Sequence, residues 1–190
     1  MGNDQPQLEM VWPKSCLNRP PRTRLGSAYA LRIFDPDRDL TEYLSLVHEA
    51  GFTSFDEQRV TDCLRRVLPD GFYVVVHTPT SSLVATAMAT HNPLPRHPYG
   101  GELGWVAGRS AHSGKGLGEA VCSAVVARFL SAGYRRIFLL TDDWRLPALK
   151  VYLKLGFVPL LFEERIAERW QAVCNTLGWP YAPDTWAGEI

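Results

Sequence analysis

The sequence has few of the features that mark disulfide-bonded or metal-binding proteins. Its four cysteines are far apart and form no C-x-x-C pair, and its five histidines do not combine with them in a zinc-site spacing. Such a sparse set indicates free thiols in a reducing cytosol. We therefore expect neither a disulfide framework nor a metal. The cysteines are Cys16, Cys63, Cys122 and Cys174.

Long apolar runs, a charged leader and an excess of charge are also missing. No stretch of about 18 apolar residues is present to span a bilayer, and the first six residues lack the charged start and apolar segment of a secretory signal. Twenty basic residues balance twenty acidic ones, so no global field attracts nucleic acid or an anionic membrane. We expect a cytoplasmic protein with neither a nucleic-acid nor a membrane partner.

The length of 190 residues favours one domain, since at roughly 150 residues about 70% of the unfolded surface is already buried. Residues 1–27 carry four prolines among polar groups, and we expect an extended lead-in without a core of its own. Residues 28–190 are expected to form the folded domain. We expect the domain's own surface or a second subunit of a homodimer to cover the aromatic tail, residues 178–186, and a role as a lid over the acceptor pocket is the alternative.

Apolar periodicity predicts alternating strands and helices from residue 28 to residue 177. Asp35 and Pro36 are typical of a helix start, because the carboxylate can cap and proline fits the first turn. Three prolines exclude residues 92–101 from a central strand, so we expect a surface lip there. The predicted strands are 28–34, 72–77, 83–91, 102–108, 136–140 and 157–162, and the predicted helices begin at 36, 56, 117, 146 and 163.

A glycine-rich turn stands between the fourth predicted strand and the helix at 117. Such a turn presents unpaired amides at the positive end of a helix dipole, which suits a phosphate. A Walker loop is excluded, because Arg109 occupies its first glycine position, and a dinucleotide motif is excluded, because its third glycine comes one position early. An ordinary strand-to-helix turn is the alternative. The turn consists of Ser113, Gly114, Lys115, Gly116, Leu117 and Gly118.

This turn resembles the CoA-binding signature Q/R-x-x-G-x-G/A of the GNAT superfamily of N-acyltransferases. Ser113 stands where the family usually has Gln or Arg, and Arg109 or His112 is a candidate substitute charge. The resemblance implies that the pantetheine arm of CoA pairs with the backbone of the fourth strand as a short added strand. The strand residues concerned are Val106, Ala107 and Gly108.

A second segment, residues 144–157, resembles the family motif N-x-x-A-x-x-x-Y-x-x-x-G-F. Ala148, Tyr152, Gly156 and Phe157 match in register, and Arg145 takes the place of the usual Asn. Ala148 and Tyr152 share a helix face, so the cofactor arm can come close to the tyrosine. The resemblance implies that Tyr152 protonates the leaving thiolate, a transfer only slightly uphill for a phenol of pKa near 10 and a thiol near 8.5. A tyrosine packed by its ring is the alternative.

The acceptor ammonium must lose a proton, and Glu102 at the head of the fourth strand is our candidate base, directly or through water. Burial or a like charge would be needed to raise its pKa. A solvated strand-end glutamate is the alternative, and His91 and His97 on the lip are rival bases. Asp142 and Asp143 either favour a cationic substrate or cap the next helix.

The resemblance implies an α/β fold of the GNAT type, a mixed, mainly antiparallel sheet flanked by helices and splayed between its fourth and fifth strands. It implies acetyl transfer from acetyl-CoA to a primary amine by direct attack in a ternary complex, with the acceptor near residues 52–55, 93–99 and Phe162. A CoA-binding sensor or scaffold, and transfer of longer acyl groups or to protein amines, remain alternatives. The candidate catalytic residues are Tyr152 and Glu102, and the candidate cofactor-binding residues are Val106, Ala107, Gly108, Ser113, Gly114, Lys115, Gly116, Leu117, Gly118, Ala148 and Tyr152.

Overall fold

The computed structural model describes residues 5–190, and a seven-stranded mixed sheet forms its middle layer. The strands are β1 (Leu8–Val11), β2 (Tyr29–Ile33), β3 (Val67–His77), β4 (Ser82–His91), β5 (Gly101–Gly108), β6 (Ile137–Thr141) and β7 (Val158–Pro159). The helices are α1 (Pro36–Glu49), α2 (Glu57–Leu64), α3 (Leu117–Ser131), α4 (Leu146–Leu155), α5 (Glu164–Leu177) and α6 (Pro183–Ala187). The strand order is β2-β3-β4-β5-β6-β1-β7. Within the described residues, β5 and β6 form the one parallel pair.

The N-terminal segment differs from the expected lead-in. Strand β1 pairs with β6 on one side and with β7 on the other, so it is an interior strand of the sheet. Leu8 and Met10 are fully buried in the main core. The prolines on either side of β1 flank the strand without interrupting it. The acidic Glu9 interrupts the apolar sequence, so the segment did not match the pattern of a buried strand. Residues 1–4 of the expected lead-in lie outside the described residues.

Two element boundaries in the structure differ from the predicted ones. Residues 69–71, expected to end the second helix, lie inside β3, where Asp70 has a φ of 57° and the pairing register with β4 shifts between Val67 and Phe72. A bulge therefore occupies the place of the expected turn. The last predicted strand contracts to Val158–Pro159 at the sheet edge, a position that tolerates a proline without a backbone donor.

Helices cover both faces of the sheet. Helix α1 begins as predicted, with Asp35 accepting a hydrogen bond from the Asp37 amide and Pro36 as first residue. On this side the rings of Phe34 and Phe72 stack at 4.1 Å beside α1 and α2. On the other side α3 buries a broad apolar surface against β3, β4 and β5. These layers fix β5 between α1 and α3.

The C-terminal tail packs on the domain itself. Trp186 in α6 is buried, and the Lys14 amide donates to the Glu189 carbonyl at 3.0 Å. Of the two predicted coverings for the aromatic tail, the structure thus provides the domain's own surface. No helix of the described chain is both long and apolar enough to cross a membrane.

A buried polar cluster lies under the lip, residues 92–100. His97 is fully buried and stacks on Phe138 with 4.0 Å between ring centroids. Arg136 Nε donates to His97 Nδ1 at 2.9 Å, so Nε2 carries the ring proton and donates to Glu9 Oε2, also at 2.9 Å. Arg96 completes the cluster by donating to Glu9. His97 has both ring nitrogens engaged, which removes it from the candidate bases.

The Glu9 carboxylate is the charge at the centre of this cluster. Burial alone would raise its pKa, but the hydrogen bonds from His97 and Arg96 outweigh that effect and lower the pKa to about 2. Because the ordinary value is 4.5, Glu9 stabilises the folded state above about pH 5. That stability is lost as the pH falls through 4.5 towards 2.

We predict that Glu9→Gln lowers the free energy of unfolding by about 3 kcal/mol at pH 7, because the folded state loses this stabilised carboxylate. The difference from the wild type should shrink as the pH approaches 2. Urea unfolding at a series of pH values measures it, with the exposed Glu168→Gln as the matched control. A difference that stays constant from pH 7 to pH 3 would contradict this account of Glu9.

Candidate functional site

The site begins where β5 and β6 separate. The two strands pair only at Gly101 with Ile137 and at Glu102 with Phe138, and beyond that point they diverge. A cleft of about 650 Å³ opens beside the diverging strands, between β5, the start of α3 and α4. This confirms the predicted opening of the sheet. Backbone groups on the facing edges no longer pair with each other, so they are available to an extended ligand.

A β-bulge on β5 bends the strand next to the cleft. Thr86 pairs with Ala107 and Met88 with Gly104, so Trp105 and Val106 together face one residue of β4. Trp105 has a φ of 54°, a left-handed conformation that costs a residue other than glycine about 1–3 kcal/mol. The rings of Phe52 and Phe55 hold its indole on the α1 side. Gly104, directly before the two bulged residues, was a readable signal, because a glycine inside a strand often marks a bulge.

The glycine-rich turn forms one wall of the cleft. Gly114 and Gly116 have φ values of 73° and 74°, which glycine adopts without strain, and a Cβ at either position would meet no atom within 4 Å. Gly116 is the N-cap of α3 and no side chain caps that end, so the first-turn amides are free for a ligand. A Cβ at Gly118 would lie 3.6 Å from Val151, which shows how closely α3 approaches α4.

The cleft has more basic side chains than the sequence predicted. Arg109 and His112, the candidate substitutes for the missing Gln or Arg at Ser113, both line it, although Arg109 also donates to Glu49 at 2.7 Å and His112 Nδ1 lies 3.0 Å from the Tyr29 hydroxyl. Lys150 and Lys154 line the cleft as well. The two lysines are four residues apart on α4, so the sequence alone indicated that they share one face of that helix. Lys115 is not among the cleft-lining residues.

Tyr152 lies in the cleft with one turn of α4 between it and Ala148. Its side chain is about 5% exposed, and its hydroxyl makes no hydrogen bond to any residue from 5 to 190. Burial raises the pKa of the phenol, the nearby Cys122 thiol raises it further, and the charge of Arg145 lowers it. The phenol is therefore protonated at neutral pH, and its hydroxyl is available to a molecule bound in the cleft.

Glu102 lies apart from the cleft-lining residues, at the last paired position of β5 before the strands diverge. Burial raises its pKa, whereas Arg66, His97 and a 2.6 Å hydrogen bond from Asn92 lower it, with a net upward shift. The side chain is thus a partly buried carboxylate of increased basicity, unlike a solvated strand-end glutamate. His91 is engaged elsewhere, with Nδ1 2.8 Å from the Tyr134 hydroxyl.

The two acidic residues after β6, Asp142 and Asp143, form ion pairs with arginines. Arg169 Nε donates to Asp143 at 2.9 Å, and Arg145 Nε and Gln7 Nε2 each donate to Asp142 at 3.3 Å. Neither side chain caps α4, so the capping interpretation is wrong. The ion pairs with Arg145 and Arg169 reduce the negative charge that either carboxylate could offer a cationic substrate.

A second, smaller pocket of about 400 Å³ lies beyond the bulge, between the α1–α2 connection and β5. It shares Trp105 with the bulge and contains three residues of the predicted acceptor region 52–55. The predicted acceptor region 93–99 is part of the lip, and its Arg96 lies 3.9 Å from the ring centroid of Phe162, the third predicted acceptor position. The pocket is lined by Phe52, Ser54, Phe55, Asp56, Gln58, Arg59, Asp62 and Trp105.

Most of the predicted cofactor-binding residues come together in the larger cleft, namely Val106, Ala107, Gly108, Ser113, Gly114, Gly116, Leu117, Gly118, Ala148 and Tyr152. Residues that sequence reasoning missed there include Ala50, Glu119, Trp144, Lys150, Val151 and Lys154. No group of three or more potential metal ligands occurs in residues 5–190.

Several solved structures share this fold. A GCN5-related N-acetyltransferase from Sphaerobacter thermophilus superposes with a TM-score of 0.65 at 20% identity, over 82% of this chain and 50% of that one. A Trypanosoma brucei acetyltransferase gives 0.53 at 25% identity, over 68% and 92%. Glucosamine-6-phosphate N-acetyltransferase from Arabidopsis thaliana gives 0.53 at 16% identity, over 67% and 90%. The chain spans about half the length of the Sphaerobacter protein.

No curated protein matches the sequence at a significant level. The model of the acetyltransferase (GNAT) family matches residues 37–157, which run from α1 through the glycine turn to the end of the tyrosine motif. The matched residues include β5, the α3 N-terminus and Tyr152. The solved structures share the same overall fold. The chain belongs to the acetyltransferase (GNAT) family.

Proposed function

We propose that the protein is an N-acetyltransferase that moves an acetyl group from acetyl-CoA to a primary amine within a ternary complex. The observation that carries this proposal is one cleft that joins the diverging strands, the uncapped N-terminus of α3 and the Tyr152 hydroxyl. Family membership supports acyl-CoA-dependent N-acyl transfer in general. The acetyl group, the small amine and the roles of individual residues are our inferences.

In this proposal the CoA diphosphate binds the free amides at Gly114, Gly116 and the first turn of α3. The helix dipole favours the negative charge, and Lys150 and Lys154 line the same cleft. The pantetheine arm extends along β5 and pairs with the backbone at residues 106–108. This arrangement directs the thioester towards the point where the strands meet, past Tyr152.

The chemical step needs three proton transfers. Glu102, through water, takes the first ammonium proton, and the amine nitrogen then forms a bond to the thioester carbonyl carbon. As the tetrahedral intermediate collapses, the carbon–sulfur bond breaks and the thiolate takes the Tyr152 proton. The nitrogen gives its remaining excess proton to the Tyr152 phenolate, which leaves a neutral amide, free CoA and a protonated tyrosine. Burial raises the pKa of Tyr152, and desolvation in the same cleft also raises the pKa of a CoA thiol, which offsets part of the change in the driving force for proton transfer.

We predict that Gly116→Trp weakens acetyl-CoA binding at least roughly 30-fold, about 2 kcal/mol, because the indole would occupy open space beside the α3 amides. Isothermal titration with acetyl-CoA and free CoA measures this. Gly133→Trp is the matched control, since Gly133 also has a positive φ and an open Cβ position but does not line the cleft. Equal affinity in the two variants, or no binding to the wild type, would overturn the proposed function.

We predict that Tyr152→Phe lowers kcat roughly 100-fold with little change in the KM for acetyl-CoA, because it removes the proton donor and keeps the ring. Thiol release under saturating acetyl-CoA measures kcat. Tyr43→Phe is the control, since the Tyr43 hydroxyl is buried without a hydrogen-bond partner in the described structure and lies outside the cleft. Binding without any thiol release across an amine panel would favour the CoA-binding sensor.

We predict that Glu102→Gln lowers kcat/KM for the amine roughly 100-fold or more and removes the acid limb of its pH profile. The pKa of Glu102 is raised, so the wild-type rate should fall as the pH drops at a higher pH than for an ordinary carboxylate. The pH dependence of kcat/KM provides the measurement. A variant that keeps the wild-type acid limb would show that another group takes the proton.

A further inference from the structure

Arg145, which stands where the family usually has Asn, lines the cleft and packs against two aromatic rings. Its guanidinium carbon lies 4.4 Å from the ring centroid of Phe52 and 4.4 Å from that of Trp144. Phe52 belongs to the α1–α2 connection, and Trp144 to the connection between β6 and α4. Cation–π contact with two rings restricts the orientation of the guanidinium, while its N–H groups remain able to donate.

Most of the hydrogen-bond donors of the guanidinium are unused. Arg145 Nε donates to Asp142 at 3.3 Å, while its two terminal amino groups have no hydrogen-bond partner among residues 5–190. The side chain is only 20% exposed and lines the cleft. A guanidinium so placed presents paired N–H groups, the geometry that matches the two oxygens of a carboxylate or a phosphate.

The position of Arg145 separates it from the CoA phosphates. The α3 N-terminus contacts α4 at Val151, where Gly118 approaches the valine side chain. Arg145 stands six residues before Val151, about 9 Å away along a helix that rises 1.5 Å per residue. Its neighbour Phe52 lines the second pocket. The unused donors therefore lie towards the acceptor side of the site and away from the phosphate-binding turn.

One acid contacts Arg145 directly. Asp142 accepts a single 3.3 Å hydrogen bond from Arg145 Nε and also accepts from Gln7, and Asp143 is paired with Arg169. The lining of the cleft nevertheless carries more positive than negative charge, with Arg109, Arg145, Lys150 and Lys154 against Glu119. This balance of charge in the cleft favours an anionic group on the substrate.

We propose that Arg145 binds an oxyanion, a carboxylate or a phosphate, carried by the acceptor amine. The acceptor is then an amine with an anionic group, such as an amino acid or a phosphorylated amine. This inference rests on the proposed acyl transfer and names the acceptor class of the same site. The oxyanion docks on the guanidinium beside Phe52 and Trp144, and the amine extends into the cleft towards the thioester.

Matched substrate pairs test the inference. Thiol release from acetyl-CoA is measured with phenylalanine against phenylalaninamide, and with phosphoethanolamine against ethanolamine. We expect the wild type to prefer at least one anionic partner roughly 10-fold or more in kcat/KM, or about 1.4 kcal/mol. Arg145→Gln should abolish that preference without slowing the neutral partner equally, and Arg145→Lys should retain part of it. Arg135→Gln, which changes an exposed arginine away from the cleft, is the control.

A second arm asks whether the oxyanion belongs to the acyl group. Succinyl-CoA and butyryl-CoA differ in a terminal carboxylate, and each is tested with neutral amines. A preference for succinyl-CoA that disappears in Arg145→Gln, without any preference among the acceptor pairs, would overturn the assignment to the acceptor. Equal rates for both members of every pair, in wild type and variant alike, would overturn the anion site altogether.

A binding measurement separates this inference from the proposed function. In CoA-saturated protein with nitrogen-15-labelled arginine, the Arg145 Nε signal is identified by its loss in Arg145→Gln. We expect N-acetylphenylalanine or N-acetylphosphoethanolamine to shift it and N-acetylphenylalaninamide to leave it unchanged. That result together with no thiol release would overturn catalysis but keep the oxyanion site. Thiol release without an anion-dependent shift would keep catalysis and overturn the site.

Discussion

The separation of β5 from β6 is the constraint on which the rest of the site depends. Two parallel strands that pair at only two positions leave unpaired backbone groups along both inner edges, and burying such groups without partners costs free energy. The opening persists because each strand is held firmly from its other side. Antiparallel β4 holds β5, and antiparallel β1 holds β6 over its whole length, from Leu8 opposite Thr141 to Val11 opposite Phe138. The N-terminal strand is therefore structural support for the cleft.

The closed end of the opening is fixed by charge as well as by packing. His97 stacks on Phe138, the last residue of β6 that pairs with β5, and links Arg136 to Glu9 on β1. One cluster thus connects the lip, β6 and β1 beneath the point of divergence. A Cβ at Gly100 would come within 2.6 Å of the Phe138 ring and one at Gly101 within 2.3 Å of the Phe129 ring, so the backbone here has no room for a side chain. Glu102 follows directly, which explains its burial and raised pKa.

Sequence patterns correctly predicted the features that depend on residues close together in the chain. The Asp35 cap, the bounds of α4, the positive-φ glycines and the placement of Tyr152 with Ala148 all follow from residues close in sequence. The parts that depend on distant partners were missed. Strand β1 carries Glu9, whose partners Arg96 and His97 are almost ninety residues away. The sequence pattern around Asp142 and Asp143 did not predict their hydrogen bonds to Gln7 and Arg169, because those partners are far away in the chain. The left-handed conformation of Trp105 was missed for a related reason: Gly104 signals a bulge locally, but the rings of Phe52 and Phe55 that pack on the Trp105 indole come from a distant segment.

These missed contacts change the electrostatic character of the site. With both acids engaged, the cleft presents Lys150 and Lys154 towards one end and the Arg145 edge towards the other, with the neutral Tyr152 phenol on the same helix. Two cationic regions would attract two anionic groups, and a diphosphate accounts for only the one beside the α3 N-terminus. A guanidinium that loses water against Phe52 and Trp144 is costly to bury unless its remaining donors find acceptors. Where the protein supplies none within the described residues, a substrate oxyanion can supply them. In the proposal that Arg145 binds an acceptor oxyanion, the replacement of Asn by Arg in the family motif selects the acceptor.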